Sequence, residues 1–261
     1  MKIVVLLKKT PDTETKIKIE GGSKIDHSST KFIANPYDEF AIEEALKIKG
    51  TSDSEVIIAS FGDDSTKEVV VKGLAMGADR GILVSNAGLE DADSLTIAKI
   101  LAKVCESEKA ELVLTGKQAI DDDNMHVPTM VAELLSWPHV NVVTKCDLNG
   151  TALKLEREIE GGQVEVYDLS LPAVIGAHKS LNTPRYASLP GIMKAKKKPF
   201  DAKTPADLGL DVSELQSGMK TEITGYEYPP EKKPGQLFKD EDVNTMVEKV
   251  VKLLREEAKV I

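Results

Sequence analysis

The chain is poor in the residues that mark several common protein classes. It has two cysteines, Cys105 and Cys146, in 261 residues. That is too few for a disulfide framework and suits a reducing compartment. Aromatic residues make up only 4% of the sequence, which argues against stacking platforms for single-stranded nucleic acid. Positive charge is also short. The formal net charge is −9, so general nucleic-acid binding is not expected. No apolar run approaches the ~20 residues of a membrane span, so no direct membrane insertion is expected. The run Ile3–Leu7 is too short for the core of a signal peptide and reads better as a first buried strand. The expected location is a bacterial cytoplasm, or the mitochondrial matrix if the source is eukaryotic.

The motifs of familiar chemistry are missing as well. There is no G-x-S-x-G, no C-x-x-C, no H-E-x-x-H and no G-x-G-x-x-G. Gly116-Lys117 is followed by Gln118, so it is not a P-loop. His27, His126, His139 and His178 show no ligand spacing. The expectation is a protein with no catalytic residue of its own and no metal site.

What is present is an alternation of strands and helices. Ile3–Leu7, Val56–Ser60, Gly81–Val84 and Glu111–Thr115 are short apolar runs, the pattern of strands buried on both faces of a parallel sheet. Between them lie three helical stretches. One follows Asn35-Pro36 and ends at Gly50, with Ala41, Ile42, Ala45, Leu46 and Ile48 as its apolar face. The second runs from about Ser65 to Met76, and the third over about Asp93–Glu108. A fourth helix should run from the Gly116–Asn124 loop to about Leu135. Lys16–Glu20 alternates and stops at Gly21-Gly22, as a half-exposed strand does. This spacing predicts βαβ units and an open, mostly parallel α/β sheet.

From about Asn141 the helices disappear. Val142–Val143, Leu153–Arg157, Gln163–Leu169 and Ala173–Ala177 read as strands, some of them antiparallel. After about Thr183 the chain is turn-rich and basic, with five lysines against one aspartate between Lys194 and Lys203. Pro229-Pro230 and Pro234 mark an extended linker, and Asp242–Lys259 is a final amphipathic helix. The expected division is an α/β nucleotide-binding domain over residues 1–190 and an arm over residues 191–261.

Ligands of open α/β sheets bind outside the carboxyl ends of the strands. Four segments fall there: Leu6–Lys9, Asn35–Asp38, Ser60–Gly62 and Gly116–Val127. Helix N-termini in such places favour phosphate, so a nucleotide is the natural ligand. Each segment also has a plainer reading. Lys8 and Lys9 fit solvated lysines. Asn35-Pro36 fits a helix cap. Asp121–Asp123 fits a charged loop leading into a helix, a loop around a nucleotide, or, least well, a metal site. Leu189, Pro190, Ile192 and Met193 beside the lysines fit either a packed turn or an apolar anchor ringed by charge, as at a docking site.

Five ordered segments carry a resemblance. They are Asn35–Leu46 (NPYDEFAIEEAL), Ala75–Gly81 (AMGADRG), Gly116–Asp123 (GKQAIDDD), Glu156–Gly162 (EREIEGG) and Leu181–Lys198 (LNTPRYASLPGIMKAKKK). Together they resemble the β subunits of electron transfer flavoproteins, from Met1 to about Leu210 and again in the terminal helix. The resemblance implies a Rossmann-like sheet of the adenine-nucleotide alpha hydrolase type and a C-terminal arm that embraces an α subunit. It implies an electron carrier, not an enzyme. FAD would sit mostly on α and a buried AMP in this subunit. Electrons would come from acyl-CoA and similar dehydrogenases and leave to a quinone reductase or another acceptor.

Carried over residue by residue, the AMP contacts fall on Leu6, on Asn35, Pro36, Tyr37 and Asp38, and on Phe61. They continue through Gly116, Lys117, Gln118, Ala119, Ile120, Asp121, Asp122, Asp123, Asn124, Met125, His126 and Val127. Dehydrogenase docking falls on Leu189 as anchor with Pro190, Ile192, Met193, Lys194 and Lys197. Glu158 falls where β approaches the flavin-bearing domain. One departure stands out. Ordinary carriers follow the acidic triplet with an N-Q-T-G-like run, whereas here it is Asn124-Met125-His126-Val127-Pro128. Electron-bifurcating relatives, with a second FAD in place of AMP, carry a valine and a downstream Ala-Glu like Val127 and Ala132-Glu133. A second FAD is therefore the alternative ligand. Rivals from other classes are a nucleotide-sensing stress protein acting alone as a homodimer and, less well supported, a nucleotide-cleaving enzyme.

Overall fold

The computed structural model describes residues 1–232 and 234–261. Met1–Gly225 forms one compact unit and Tyr226–Ile261 a second. The expected division at residue 190 falls inside the first unit.

The first unit is built on a nine-stranded sheet. Its elements in chain order are β1 (Lys2–Leu6), β2 (Lys9–Pro11), β3 (Ile19–Glu20), β4 (Lys24–Ile25), β5 (Phe32–Ala34) and α1 (Pro36–Thr51). Then come β6 (Glu55–Gly62), α2 (Lys67–Met76), β7 (Arg80–Ser85), α3 (Ser94–Glu108), β8 (Leu112–Gly116) and α4 (His126–Leu135). The remainder is β9 (His139–Asn149), β10 (Ala152–Glu158), β11 (Val164–Ser170), β12 (Ala173–Ala177), α5 (Leu189–Ala195), β13 (Phe200–Lys203) and α6 (Val212–Ser217).

The strand order is β11-β10-β9-β12-β8-β1-β6-β7-β13. From β12 to β13 every neighbouring pair is parallel. The chain runs outward from β1 through β6 to β7, then returns to place β8 on the other side of β1. The order therefore reverses between β1 and β8, and such a switch point opens a crevice at the carboxyl ends of the two strands.

Alternation along the strands explains both layers. Ile3, Val5 and Leu7 share a core with Val56, Ile58, Leu112 and Leu114 and with the buried faces of α1 and α2. Val4, Leu6, Ile57, Ala59 and Val113 share the opposite core with α3 and α4. Successive strand side chains point to opposite faces, so each apolar run feeds both cores. The whole expected stripe of α1, from Ala41 to Ile48, is buried.

Several expectations are corrected in detail. Lys16–Lys18 is not strand; only Ile19–Glu20 pairs, with Lys24–Ile25, across Gly21 and Gly22 at positive φ. The second helix starts as a 3-10 turn over Asp64–Thr66, because Asp63 accepts from Thr66 N and caps earlier than Ser65. Val142–Val143 belongs to a much longer strand, β9. It pairs parallel with β12 through Val143 and antiparallel with β10 beyond it. Val142 sits at φ 62° at this change of partner, a bulge that redirects the strand. The basic tail after Thr183 holds α5, the edge strand β13 and α6 instead of turns alone. Asp201 in β13 pairs with Arg80, so part of the tail's charge is spent inside the fold.

The second unit carries α7 (Val243–Glu256), capped by Asp242, which accepts from Asn244 N and Thr245 N. Val243, Val247, Val250 and Leu254 lie at helical spacing and are all exposed, an amphipathic stripe. Among the described residues no helix is long and apolar enough to cross a membrane.

Candidate nucleotide cleft and docking segment

A cleft of about 780 Å³, open mouth included, lies at the switch point. Leu6, Leu7 and Lys8 enter from the end of β1, Thr115 and Gly116 from the end of β8, and Phe61 from the end of β6. Asn35 and Asp38 come from the start of α1. Gln118, Ala119, Asp122, Asn124, Met125, His126 and Val127 come from the β8–α4 loop and the first turn of α4. Pro36, Tyr37, Lys117, Ile120, Asp121 and Asp123 flank the cleft and do not line it.

The lining also contains Ser94, Ile97, Leu101 and Pro128, which sequence reasoning missed. The first three belong to α3. The β7–α3 connection is a fifth strand-to-helix turn, and its helix crosses to the face that overhangs the switch point. The signal was available in Asp93-Ser94 before an apolar-periodic run. Asp93 does cap α3, accepting from Thr96 N at 2.8 Å.

Asn35 is the first organiser of the site. It precedes α1 but makes no side-chain capping bond. Instead its Nδ2 donates to Gln118 O at 2.9 Å, and its Oδ1 accepts from Ile120 N at 3.2 Å. A buried amide thus pins the β8–α4 loop from across the crevice. The cap reading is overturned because both faces of the amide are taken by residues over 80 positions away.

Asp38 is the second. Its Oδ2 accepts from Lys8 N at 2.8 Å and its Oδ1 from Gly116 N at 2.9 Å. One buried carboxylate thereby ties the ends of the two switch-point strands. Burial pushes its pKa up to about 7, against the pull of the Lys8 and Gly116 amides. Gly116 has to be glycine: a Cβ would lie 2.5 Å from Asp38 Oδ1 and 2.7 Å from the Tyr37 carbonyl carbon.

Lys8 is not a free solvated lysine. Its ammonium donates to Asp121 Oδ1 at 2.8 Å and Asp122 Oδ2 at 2.9 Å. Burial alone would lower its basicity, but the two carboxylates outweigh that and hold it above the ordinary lysine value. Asp123 accepts from Gln118 Nε2. The acidic triplet is thus used to fasten the loop. No group of three metal-ligating side chains occurs among the described residues. Lys117 lies with its ammonium 5.2 Å from the Tyr37 ring centroid. Asp123 and Met125 take positive φ, 51° and 58°, an uncommon conformation for residues with a Cβ.

The arrangement sets a helix N-terminus beside apolar walls. The N-terminus of α4 has no side-chain cap; Pro128 at its third position carries no N–H, which leaves the amides of His126 and Val127 to meet an anion there. Phe61, Ile97, Leu101 and Val127 supply apolar walls for a planar base. The carboxylates that would repel phosphate are occupied, Asp38 by two amides and Asp122 by Lys8.

The docking candidates lie apart from this cleft, on α5. Leu189, Ile192 and Met193 are 79%, 45% and 75% exposed. Pro190, Lys194 and Lys197 are exposed beside them. The segment is a short helix, not a loop: Ser188 caps it by accepting from Gly191 N at 3.1 Å. Lys198 is not part of the free basic cluster; its ammonium donates to Leu74 O at 2.9 Å and to Ala78 O, closing the end of α2. Glu158 is exposed at the end of β10, away from the cleft lining.

A doubly wound, mostly parallel sheet with its crevice at the strand-order reversal defines a Rossmann-like α/β protein. Comparison with known proteins narrows this. A family model described as the electron transfer flavoprotein domain matches residues 23–208. The electron transfer flavoprotein subunit beta of Bradyrhizobium diazoefficiens is 41% identical over 263 residues, covering 100% of each chain. That of Bacillus subtilis is 40% identical over 262 residues, again covering 100% of each. The human subunit beta is 41% identical over 239 residues, 90% of this chain and 91% of its own. The chain belongs to the electron transfer flavoprotein family, and its role is in electron transfer.

Proposed function

We propose that the chain is the β subunit of a heterodimeric electron carrier that holds AMP as a structural ligand in the switch-point cleft. The supporting observation is the cleft itself. A loop pinned by Asn35 and Lys8 leads into an uncapped helix N-terminus, opposite apolar walls. The flavin that carries electrons, FAD, sits mostly on the α subunit. Glu158 approaches its flavin-bearing domain, and residues 226–261 embrace α through the apolar stripe of α7. Acyl-CoA or similar dehydrogenases dock on α5, with Leu189 as anchor and the lysines as its charged rim. Electrons then pass to a quinone reductase or another acceptor. No bond is made or broken in this subunit.

AMP in this reading stabilises the fold. A ligand that binds only the native state adds ~4 kcal/mol at a thousandfold excess over Kd. The test is to purify the chain with its α partner, denature it, and identify every nucleotide released by chromatography and mass. One FAD and one AMP per heterodimer is the expected result. Two FAD and no AMP would make it the bifurcating type, with Met125 and Val127 as the sequence mark of that change. No nucleotide assignable to this subunit would remove the cleft assignment.

A further inference from the structure

The docking segment has almost no apolar fastening. Leu181 and Ala195 are buried, and no side chain from Asn182 to Lys194 between them is. Within the stretch only Ala187, half-buried, packs against the core, so burial of apolar surface fixes its path weakly. Its attachment is polar, and it is concentrated on two adjacent buried carboxylates of α1. Glu43 is 6% exposed and Glu44 2%.

Glu43 receives three N–H groups from one residue. Arg185 N donates to Oε2 at 3.0 Å, Arg185 Nε to Oε2 at 2.8 Å, and Arg185 Nη2 to Oε1 at 2.8 Å. Burial pushes the Glu43 carboxyl up, but the Arg185 hydrogen bonds prevail and hold it below the ordinary range. Glu44 accepts from Asn182 Nδ2 at 2.9 Å, and the same amide donates to Phe40 O at 3.0 Å. On the far side, α5 rests on α2, where a Cβ at Gly191 would come within 2.5 Å of Ala75 O. Tyr186, next to the clamp, is 98% exposed. The segment is thus held down at Arg185 and presented outward immediately afterwards.

We propose that Glu43 and Arg185 are positioning residues for docking. Their bidentate pair fixes the stretch that carries Tyr186 and Leu189 before a dehydrogenase arrives. This rests on the docking role proposed for α5. A planar guanidinium matches a carboxylate in a way that a lysine ammonium does not, so the pair sets direction as well as proximity. A loosened segment must be ordered at the moment of binding, which weakens association without touching the electron-transfer step.

The experiment uses the intact complex with its α partner and an acyl-CoA dehydrogenase as reductant, reading KM for the complex, kcat and released nucleotide. Arg185→Lys and Glu43→Gln should each raise KM on the order of tenfold, the change expected for losing part of a charge-assisted pair. Kcat, nucleotide content and melting temperature should stay near wild type. Hydrogen exchange should quicken over residues 186–197 and not at the cleft. Leu189→Ala serves as the control for docking itself. If Leu189→Ala raises KM while neither clamp variant does, the positioning role is overturned and the docking role stands. If Leu189→Ala leaves KM unchanged, both fall. If the clamp variants lower kcat, nucleotide content and melting temperature together, Glu43 and Arg185 merely support the fold and the proposal is wrong.

Discussion

Replacing Asn35 separates two roles that the sequence leaves entangled. If Asn35 were a helix cap, Asp would serve equally well there, since Asn and Asp rank together as caps. The structure assigns it differently: Nδ2 faces Gln118 O and Oδ1 faces Ile120 N. Asn35→Asp keeps the second contact and turns the first into an oxygen facing an oxygen about 2.9 Å away. Asn35→Ala loses both and leaves a half-buried carbonyl and amide without partners. Each orphaned group costs ~1–3 kcal/mol where water is excluded, the lost hydrogen bond included. The loop is partly wet, so the lower end applies, roughly 2–3 kcal/mol for the alanine variant. If the loop must be closed to hold the nucleotide, this becomes roughly 30- to 150-fold in Kd. Asn35→Asp should be no better than Asn35→Ala. The assay is calorimetric titration of AMP into nucleotide-stripped complex, with the melting temperature followed in parallel. Wild-type affinity in Asn35→Asp would refute the clamp and restore the cap.

Other consequences are as direct. Gly116→Ala forces a methyl group against Asp38 and the Tyr37 backbone; the variant should lose ~1–3 kcal/mol of stability, read as a lower urea midpoint. Asp38 has its pKa raised by burial to about 7 from an ordinary 3.8. Its native form therefore holds a proton that the unfolded chain releases between about pH 4 and 7. The stability this group contributes is full below that window and is lost as pH rises through about 7. The advantage of wild type over Asp38→Asn should shrink by about 1 kcal/mol per pH unit across it; a pH-independent difference would contradict the assignment. Burial raises the Cys105 and Cys146 thiols to about 12. Neither should react with iodoacetamide at pH 8 until the chain is denatured, and rapid labelling of either in the folded state would show that its environment is misread.

The legible part of the fold was the part written in local pattern. Ile3–Leu7 and Glu111–Thr115 announce buried parallel strands because such strands tolerate no polar face. The helices from about Ser65 to Met76 and over about Asp93–Glu108 announce themselves because helical periodicity is local. Where the chemistry is long-range, sequence misled. Asn35 looks like a cap, since nothing nearby in sequence reveals that its partners are Gln118 and Ile120. Lys8 looks solvated because its carboxylates are more than a hundred residues downstream. Phe200–Lys203 was hidden inside a basic run. At a sheet edge only alternate residues need be apolar, and Asp201 and Lys203 find Arg80 and Glu108 instead of water. Leu6, Phe61 and Gly116 do fall at the carboxyl ends of β1, β6 and β8, because strand ends are legible wherever the strands are. The contribution of α3 depended on which face its crossover takes.

One helix carries a fastening point for each of two surfaces. Asp38, which joins the strand ends beneath the cleft, and Glu43, which holds Arg185, both belong to α1. They are separated by five residues, about 7.5 Å along a helix axis. A helix is too stiff to absorb a shift over that distance, so the two surfaces share a single frame of reference. Sequence drift is therefore constrained jointly: a substitution that rolls α1 to suit a different ligand also re-aims the segment offered to partners. Lineages that change the occupant of the cleft should be found to have rewritten the stretch after Asn182 as well, and lineages that keep one should keep the other.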